Sequence, residues 1–362
     1  MDHTSTIARS PLLIARLKNY TASAAVVALA IGFHHLSATN RKYLDELYGS
    51  TAFSFTGEQF LTTAAVVYTV VLGLFFLTER DPGVSKSLRF WQVTAAFLRS
   101  PATMLRQKLP RDDRVAVLAT VLKAFFGPLM AVALMTASMG LIANGSAIAE
   151  TGAWGYGFRA VFDRHGYWFL LQLIVLIDVL IFTAGYLVEL PRLGNEIKSV
   201  DPTLLGWAAA LVCYTPFNAI LGILLGPPGS DMPRFGDTSV HFSWNALMLA
   251  LMAIYTWASV ALGLKASNLT HRGIVDRGPY RLIRHPAYTC KNLAWWVGSI
   301  PIVSTAFEHS TRDGIQALAS VIGWTMLYVL RAVTEEDHLR SVDGEYAAYA
   351  AKVRYRFIPG IV

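Results

Sequence analysis

The sequence contains few charged residues and almost no cysteine. Asp, Glu, Lys and Arg make up 15% of its 362 residues, whereas an average soluble domain contains about 25%. This low charged fraction, combined with high apolar content, argues against a soluble globular enzyme and against a disordered chain. The two cysteines, Cys213 and Cys290, lie beside or within apolar runs without metal-ligand spacing. We therefore expect neither a disulfide framework nor a cysteine metal site.

Long apolar runs take the place of charge, since 54% of the residues are hydrophobic and 12% are aromatic. A helix needs about 20 mostly apolar residues to cross the hydrocarbon core of a bilayer. Eight runs have about that length, at residues 20–38, 60–78, 115–143, 168–190, 204–225, 242–264, 289–307 and 315–333. The sequence therefore predicts an all-α membrane helix bundle with about eight transmembrane helices.

The basic residues indicate how such a bundle is oriented. Eight crossings place both termini on one side of the membrane. Of the 31 Lys and Arg residues, 24 lie on the side of the termini and 6 lie in the opposite loops. Because cytoplasmic loops are enriched in Lys and Arg, we expect both termini and the loop 265–291 to be cytoplasmic. Orientation then explains the net charge of +7, and nucleic acid is not expected as a partner.

Two polar stretches lie on that predicted cytoplasmic side. One covers residues 272–288, between the sixth and seventh runs, and the other covers residues 334–359, after the eighth run. Both follow spans that end on the same face, so the two stretches can meet there. We predict a functional site at this meeting point. A basic loop that binds lipid headgroups is the alternative interpretation.

The side chains of these stretches suit a zwitterionic ligand. Arg284, His285 and Tyr288 can donate hydrogen bonds to a carboxylate, and arginine can do so with two parallel bonds. Glu335 and Glu336 can accept from an ammonium group or from ribose hydroxyls. The pattern therefore contains partners for both charges of such a ligand.

The order of these residues resembles one protein family. Gly-Pro-Tyr-Arg-x-x-Arg-His-Pro-x-Tyr runs from Gly278 to Tyr288. After one span it is followed by Glu335, Glu336, Leu339, Gly344, Tyr346, Tyr349, Ile358 and Pro359. This pattern resembles the integral-membrane methyltransferases related to isoprenylcysteine carboxyl methyltransferase and to the phospholipid methyltransferases. We therefore predict a methyltransferase-like core at residues 201–362 and an accessory N-terminal transmembrane bundle at residues 1–200.

The resemblance implies S-adenosylmethionine as the cofactor, held at the cytoplasmic interface. By their positions in the motif, His285 and Tyr288 would contact its methionine portion, and residues 278–280 would form a wall of the pocket. The implied cofactor-binding residues are Gly278, Pro279, Tyr280, His285, Pro286, Tyr288, Glu335 and Glu336. The expected catalytic residues are Arg284, His285 and Glu336, and transfer from a sulfonium methyl requires no metal.

Three further residues are candidates for binding the methyl acceptor. Lys291, Asn292 and Arg354 lie near the motif residues and can bind an anionic group. For the first two, a snorkelling lysine and a helix-start asparagine are the alternative. A carboxylate acceptor needs its charge neutralised, whereas an amine acceptor needs a base such as Glu336 or His338. The sequence leaves both kinds of acceptor open.

We expect the protein to transfer a methyl group from S-adenosylmethionine to a membrane-embedded lipid or to a prenylated or other amphiphilic acceptor. Two alternatives stand beside this hypothesis. Sterol and steroid reductases look similar at Arg-His-Pro-x-Tyr and use NADPH, but they typically have Asn where this chain has Ala287. The other alternative is a non-enzymatic transporter or lipid-binding protein built on the first five spans.

Two charged residues lie inside predicted spans, Asp178 in the fourth and Lys123 in the third. An ionisable group at such a depth costs at least about 2.5–3.5 kcal/mol on insertion scales. Each is therefore expected to face a partner or a cavity. A pair between Asp178 and Lys123 is one expectation, and a place on a substrate path or proton relay is the other.

Overall fold

The computed structural model describes residues 3–49, 54–150, 155 and 157–361. Helices dominate these residues, and the strands are two or three residues long. The helices are α1 His3–Leu36, α2 Ala38–Leu44, α3 Gly57–Thr78, α4 Lys86–Arg99, α5 Pro101–Arg106, α6 Arg111–Ala149, α7 Phe158–Val161, α8 Tyr167–Leu187, α9 Leu204–Leu211, α10 Asn218–Leu224, α11 Thr238–Leu262, α12 Pro286–His309, α13 Thr311–Val342 and α14 Glu345–Lys352. The strands are β1 Leu47–Gly49, β2 Ser54–Thr56, β3 Ser199–Val200 and β4 Thr270–His271.

Among the described residues, six helical segments are long and apolar enough to cross a membrane. They are Pro11–Leu36, Gly57–Thr78, Arg111–Ala149, Phe158–Leu187, Thr238–Lys265 and Thr311–Val342. Each coincides with one of the eight runs predicted from the sequence. The prediction of an all-α protein with membrane-spanning helices is therefore confirmed.

The other two predicted spans differ from these six. Residues 289–307 lie within α12, which is helical over 24 residues and contains Pro301. The prediction of one continuous helix over 204–225 is wrong, because this run forms two short helices, α9 and α10. Pro216 lies between them, and a proline has no amide hydrogen to continue a helix.

Packing divides the chain into two compact units. The first comprises residues 3–133 with 197–200, and the second comprises residues 134–196 with 201–361. In the first unit, α1 packs against α3 and α4. Asn19 is fully buried and donates to the carbonyls of Pro82 and Gly83 while it accepts from the amide of Ser85. One α1 side chain thus holds the turn that leads into α4.

In the second unit, α11 packs against α8 and α12, and α12 packs against α13. The buried Asp178 of α8 accepts hydrogen bonds from two α11 hydroxyls, that of Tyr255 at 3.0 Å and that of Ser259. These bonds compensate the cost of burying the carboxylate and fix α8 against α11. The predicted pair with Lys123 joins residues of different units and stays a prediction.

The loop between α11 and α12 is fixed by buried polar contacts. Arg272 donates from Nη1 to the carbonyls of Asn195, at 2.9 Å, and Leu264, at 3.3 Å. Burial lowers the pKa of this guanidinium from its usual value. Gly185 of α8 packs directly against the carbonyl oxygen of Ala266, where a Cβ would overlap it. The loop that contains residues 272–288 is therefore closely packed against α8 where it begins.

Gly185→Ala tests this packing. We expect a loss of about 1–3 kcal/mol in stability, because the added methyl group forces the Ala266 backbone away from α8. The measurement is thermal unfolding of the full chain in detergent, with Gly222→Ala of α10 as the control, since a Cβ at Gly222 meets no atom within 4 Å. Equal unfolding temperatures for Gly185→Ala and the wild type would contradict the close contact.

Candidate functional site

The start of α12 and the C-terminal tail lie side by side in the second unit. The amide of Arg284 donates to the carbonyl of Tyr355 at 2.9 Å, and the amide of His285 donates to that of Arg356 at 3.0 Å. The hydroxyl of Thr289 adds a bond to the carbonyl of Phe357. The two polar stretches singled out in the sequence therefore meet in the folded chain.

Glu336 of α13 lies at the centre of this junction, and its side chain is fully buried. Its Oε1 accepts from Nε of Arg284 at 2.9 Å, from Nε2 of His285 at 3.1 Å and from Nε of Arg356 at 3.0 Å. Its Oε2 accepts from Arg356 at 2.9 Å and from Arg340 at 2.8 Å. One carboxylate thus joins α13, the start of α12 and the tail.

This arrangement makes Glu336 a positioning residue for Arg284 and His285. Its hydrogen bonds raise the pKa of Arg356 above the usual arginine value. Both carboxylate oxygens are occupied, and the side chain has no exposed surface from which to take a proton. The catalytic role of Glu336 stays a prediction, and the geometry favours an indirect one.

Arg284 is likewise engaged with the protein itself. Besides Glu336, its Nη1 donates to the carbonyls of Val353 at 2.9 Å and Arg354 at 2.6 Å. Glu336 and these two carbonyls thus take three of its five N–H donors. The expected catalytic role of Arg284 therefore also stays a prediction, and in this structure the residue holds the tail.

Three residues form a second cluster beside the first. The imidazole of His285 stacks on the ring of Tyr288, with centroids 5.3 Å apart and planes within 10°. The Tyr288 hydroxyl donates to Oε2 of Glu335 at 2.9 Å, and this oxygen lies 4.0 Å from Nδ1 of His285. The Glu335 side chain is 47% exposed. Of the two adjacent glutamates, Glu335 is therefore the one that can meet a ligand.

A small pocket opens next to this cluster. Its lining residues are Asp201, Gly206, Ala210, Leu269, Thr270, Tyr288, Arg331, Thr334, Glu335, His338 and Leu339. The cavity volume is about 30 Å³, which is enough to hold a water molecule. Tyr288 and Glu335 both line the pocket, so the hydrogen bond between them holds two of its walls together.

Of the implied cofactor-binding residues, only Tyr288 and Glu335 line this pocket. His285 and Glu336 stand behind them, and Pro286 is buried in the first turn of α12. Gly278 has φ +58°, and a Cβ there would lie 3.0 Å from the Cβ of Ala261 on α11. Pro279 is buried, and the carbonyl of Tyr280 accepts from the Tyr349 hydroxyl at 3.0 Å. Residues 278–280 thus pack against α11 and α14, outside the pocket lining.

The three candidate acceptor-binding residues are placed differently from one another. The ammonium of Lys291 lies 5.4–5.7 Å from the ring centres of Tyr255, Trp295 and Tyr328. Asn292 donates to the carbonyl of Tyr288 within α12 at 2.9 Å. The side chain of Arg354 is exposed, and its carbonyl accepts from Arg284. Of the three, only Lys291 therefore faces side chains of other helices, Tyr255 of α11 and Tyr328 of α13.

Sequence reasoning did not identify Arg331 as a site residue. Its guanidinium carbon lies 5.1 Å from the ring centre of Tyr288 and 5.0 Å from that of Tyr328, and the residue lines the pocket. One signal in the sequence was available. Arg331 precedes Glu335 by four positions, so both lie on one face of a helix.

No family model, no curated protein and no solved structure matches this chain. The resemblance to membrane methyltransferases therefore depends on the motif residues themselves. The proposed function is therefore inferred from how these residues are arranged in space.

Glu336→Gln tests the buried junction. We expect a loss of about 3–5 kcal/mol, because three guanidiniums lose the negative charge that they share. Thermal unfolding in detergent measures the change. The matched control is Arg340→Gln, which removes a partner that is 46% exposed and should cost at most about 1 kcal/mol. Similar losses for both variants would contradict a central role of Glu336.

Proposed function

We propose that the protein transfers a methyl group from S-adenosylmethionine to a membrane-embedded amphiphile, at the pocket beside Tyr288 and Glu335. One observation carries the proposal. The two parts of the motif, which are separated by the length of α12 and most of α13, meet through Glu336 and provide Tyr288 and Glu335 to one pocket. The apolar helices of the chain are consistent with an acceptor that enters from the bilayer.

The chemistry of the pocket fits this cofactor. The carboxylates of Asp201 and Glu335 suit ribose hydroxyls or an ammonium group, and the guanidinium of Arg331 suits a carboxylate. The present volume is far smaller than the roughly 300–1,000 Å³ of ordinary ligand pockets. Binding therefore requires the walls to separate, and the bond between Tyr288 and Glu335 is the contact that has to open.

Each residue then has a separate task. When bound, S-adenosylmethionine supplies an electrophilic methyl group on its sulfur. Glu335 and Tyr288 exchange their mutual hydrogen bond for bonds to the ligand, while His285, held by Glu336, keeps the Tyr288 ring in place by stacking. His338 lines the pocket and is the candidate base for an acceptor that must lose a proton.

We also propose that the chain crosses the membrane eight times, with both termini and the pocket on the cytoplasmic side. α12 and the pair α9–α10 supply the two crossings beyond the six long apolar segments. The distribution of Lys and Arg supports this orientation. Because α9 and α10 are short, the crossing at 204–225 would be a broken helix whose polar backbone groups are covered by protein.

Labelling of single cysteines tests the orientation. In a chain with Cys213 and Cys290 replaced by alanine, Arg234→Cys and Arg281→Cys introduce thiols at exposed positions of opposite predicted loops. We expect a membrane-impermeant maleimide to label intact cells at position 234 only. Labelling at position 281 should require permeabilised cells. The reverse pattern would overturn the orientation.

Transfer of labelled methyl from S-adenosylmethionine to a lipid extract by the purified protein tests the activity. We expect Glu335→Gln to weaken binding of S-adenosylhomocysteine about 10- to 100-fold, since a hydrogen bond to a charged group contributes about 1.5–3 kcal/mol. His285→Ala should lower the transfer rate as well. Glu345→Gln, at an exposed position of α14, is the matched control for charge removal.

The same binding assay separates the alternatives. A reductase would bind NADPH in preference to S-adenosylhomocysteine. A transporter or lipid-binding protein would bind neither, and its lipid retention would not change in Glu335→Gln. A wild-type protein that neither binds S-adenosylhomocysteine nor transfers methyl would refute the methyltransferase proposal.

A further inference from the structure

Arg331 is a buried cation with most of its hydrogen-bond donors unused. The residue is only 6% exposed, and its guanidinium lies over the rings of Tyr288 and Tyr328. Its Nη2 donates to Oδ1 of Asn268 at 2.9 Å. Among the described residues, no other acceptor takes a hydrogen bond from this guanidinium. An arginine has five N–H donors, so most of them have no acceptor among these residues, and Arg331 lines the pocket.

The guanidinium is held in a defined orientation. Asn268 donates from its backbone amide and from Nδ2 to the hydroxyl of Tyr186, both at 2.8 Å, and Tyr186 is buried. These bonds turn Oδ1 of Asn268 toward Arg331. Because two aromatic faces and one amide oxygen constrain a planar group, little rotamer freedom remains to be lost when an anion binds.

The charge around Arg331 also favours an anion. The ammonium of Lys291 lies 5.7 Å from the centre of the Tyr328 ring, the same ring that Arg331 contacts at 5.0 Å. Within the described ranges, neither cation has a carboxylate at salt-bridge distance. The nearby Asp178 accepts from Tyr255 and Ser259, and Glu335 accepts from Tyr288. Two positive charges, the buried Arg331 and the partly buried Lys291, thus share one ring without a direct ion pair.

Arg284 and Arg331 differ in how many protein acceptors bind their guanidinium groups. Arg284 donates to Glu336 and to two backbone carbonyls, so three of its five N–H donors are used inside the protein. Arg331 faces the pocket with a preset orientation and a single acceptor. A guanidinium of this kind binds a carboxylate with two parallel hydrogen bonds.

We propose that Arg331, braced by Asn268 and the two tyrosines, binds a carboxylate of the ligand in this pocket, with Lys291 adding positive charge. The inference rests on the proposed function, which offers two sources of a carboxylate. One is the amino-acid part of the cofactor, and the other is the head of an acidic amphiphile that accepts the methyl group. In both cases the ligand has to separate the walls of the pocket to reach the guanidinium.

The first experiment compares two probes of the cofactor on the purified full-length protein. S-adenosylhomocysteine carries the carboxylate, and 5′-methylthioadenosine lacks the whole amino-acid part. If the carboxylate belongs to the cofactor, Arg331→Lys weakens binding of S-adenosylhomocysteine about 10- to 100-fold and changes that of 5′-methylthioadenosine less than twofold. Lysine keeps the charge but loses the planar fork.

The second experiment compares palmitic acid with methyl palmitate. If the carboxylate belongs to the acceptor, Arg331→Lys weakens binding of the acid by a similar factor and leaves the binding of the ester and of S-adenosylhomocysteine unchanged. Arg312→Lys is the control in both experiments, because Arg312 lies at the exposed start of the same helix. Asn268→Ala, which removes the brace, should give a smaller loss in the same direction and replaces Arg331→Lys if that variant does not fold.

The outcomes separate the inference from the proposed function. Loss of carboxylate-dependent binding in either experiment supports the assignment of Arg331. A wild-type protein that binds palmitic acid through Arg331 but not S-adenosylhomocysteine keeps the carboxylate site and refutes the methyltransferase. Folded Arg331→Lys and Asn268→Ala proteins with unchanged binding of all four probes overturn the inference, as does a wild-type protein that binds neither carboxylate probe.

Discussion

The candidate site depends on one fully buried carboxylate. Glu336 accepts hydrogen bonds from three arginines and one histidine, which belong to the start of α12, to α13 and to the C-terminal tail. Burying a charged carboxylate is costly unless it is paired and hydrogen-bonded. Four positively charged or polar donors meet that requirement at once. The same contacts attach the C-terminal tail to the start of α12. The buried charge of Glu336 therefore also positions the segment that carries Tyr288 to the pocket.

Two adjacent glutamates have different environments because they lie on a helix. Successive residues of an α-helix point about 100° apart, so the chain can bury Glu336 and leave Glu335 half exposed at the pocket. Glu335 meets Tyr288, whose ring stacks on His285, and His285 returns to Glu336. The buried carboxylate therefore orients the residues that can reach a ligand. In this arrangement Glu336 positions the side chains, whereas Tyr288 and Glu335 are the groups that can contact a ligand.

Arg284 and Arg331 also differ in whether they support the fold or face the pocket. Arg284 belongs to the sequence motif, yet backbone carbonyls and Glu336 take three of its five N–H donors. Arg331 lies outside the motif, yet it faces the pocket between two tyrosine rings. Both residues have the same side chain and similar intrinsic chemistry. Their neighbours alone decide which one stabilises the fold and which one is available to a ligand.

The sequence by itself determined the membrane-spanning helices, because long apolar runs are a property of consecutive residues. The sequence also contains both halves of the motif, which can be recognised without the structure. Only the tertiary structure decided four other features. These are the break within residues 204–225, the different environments of Glu335 and Glu336, the position of residues 278–280 outside the pocket, and the position of Arg331 at the pocket. Each of these depends on contacts between residues that are distant in the chain, and apolar periodicity carries no information about where a guanidinium or a carboxylate will find its partner.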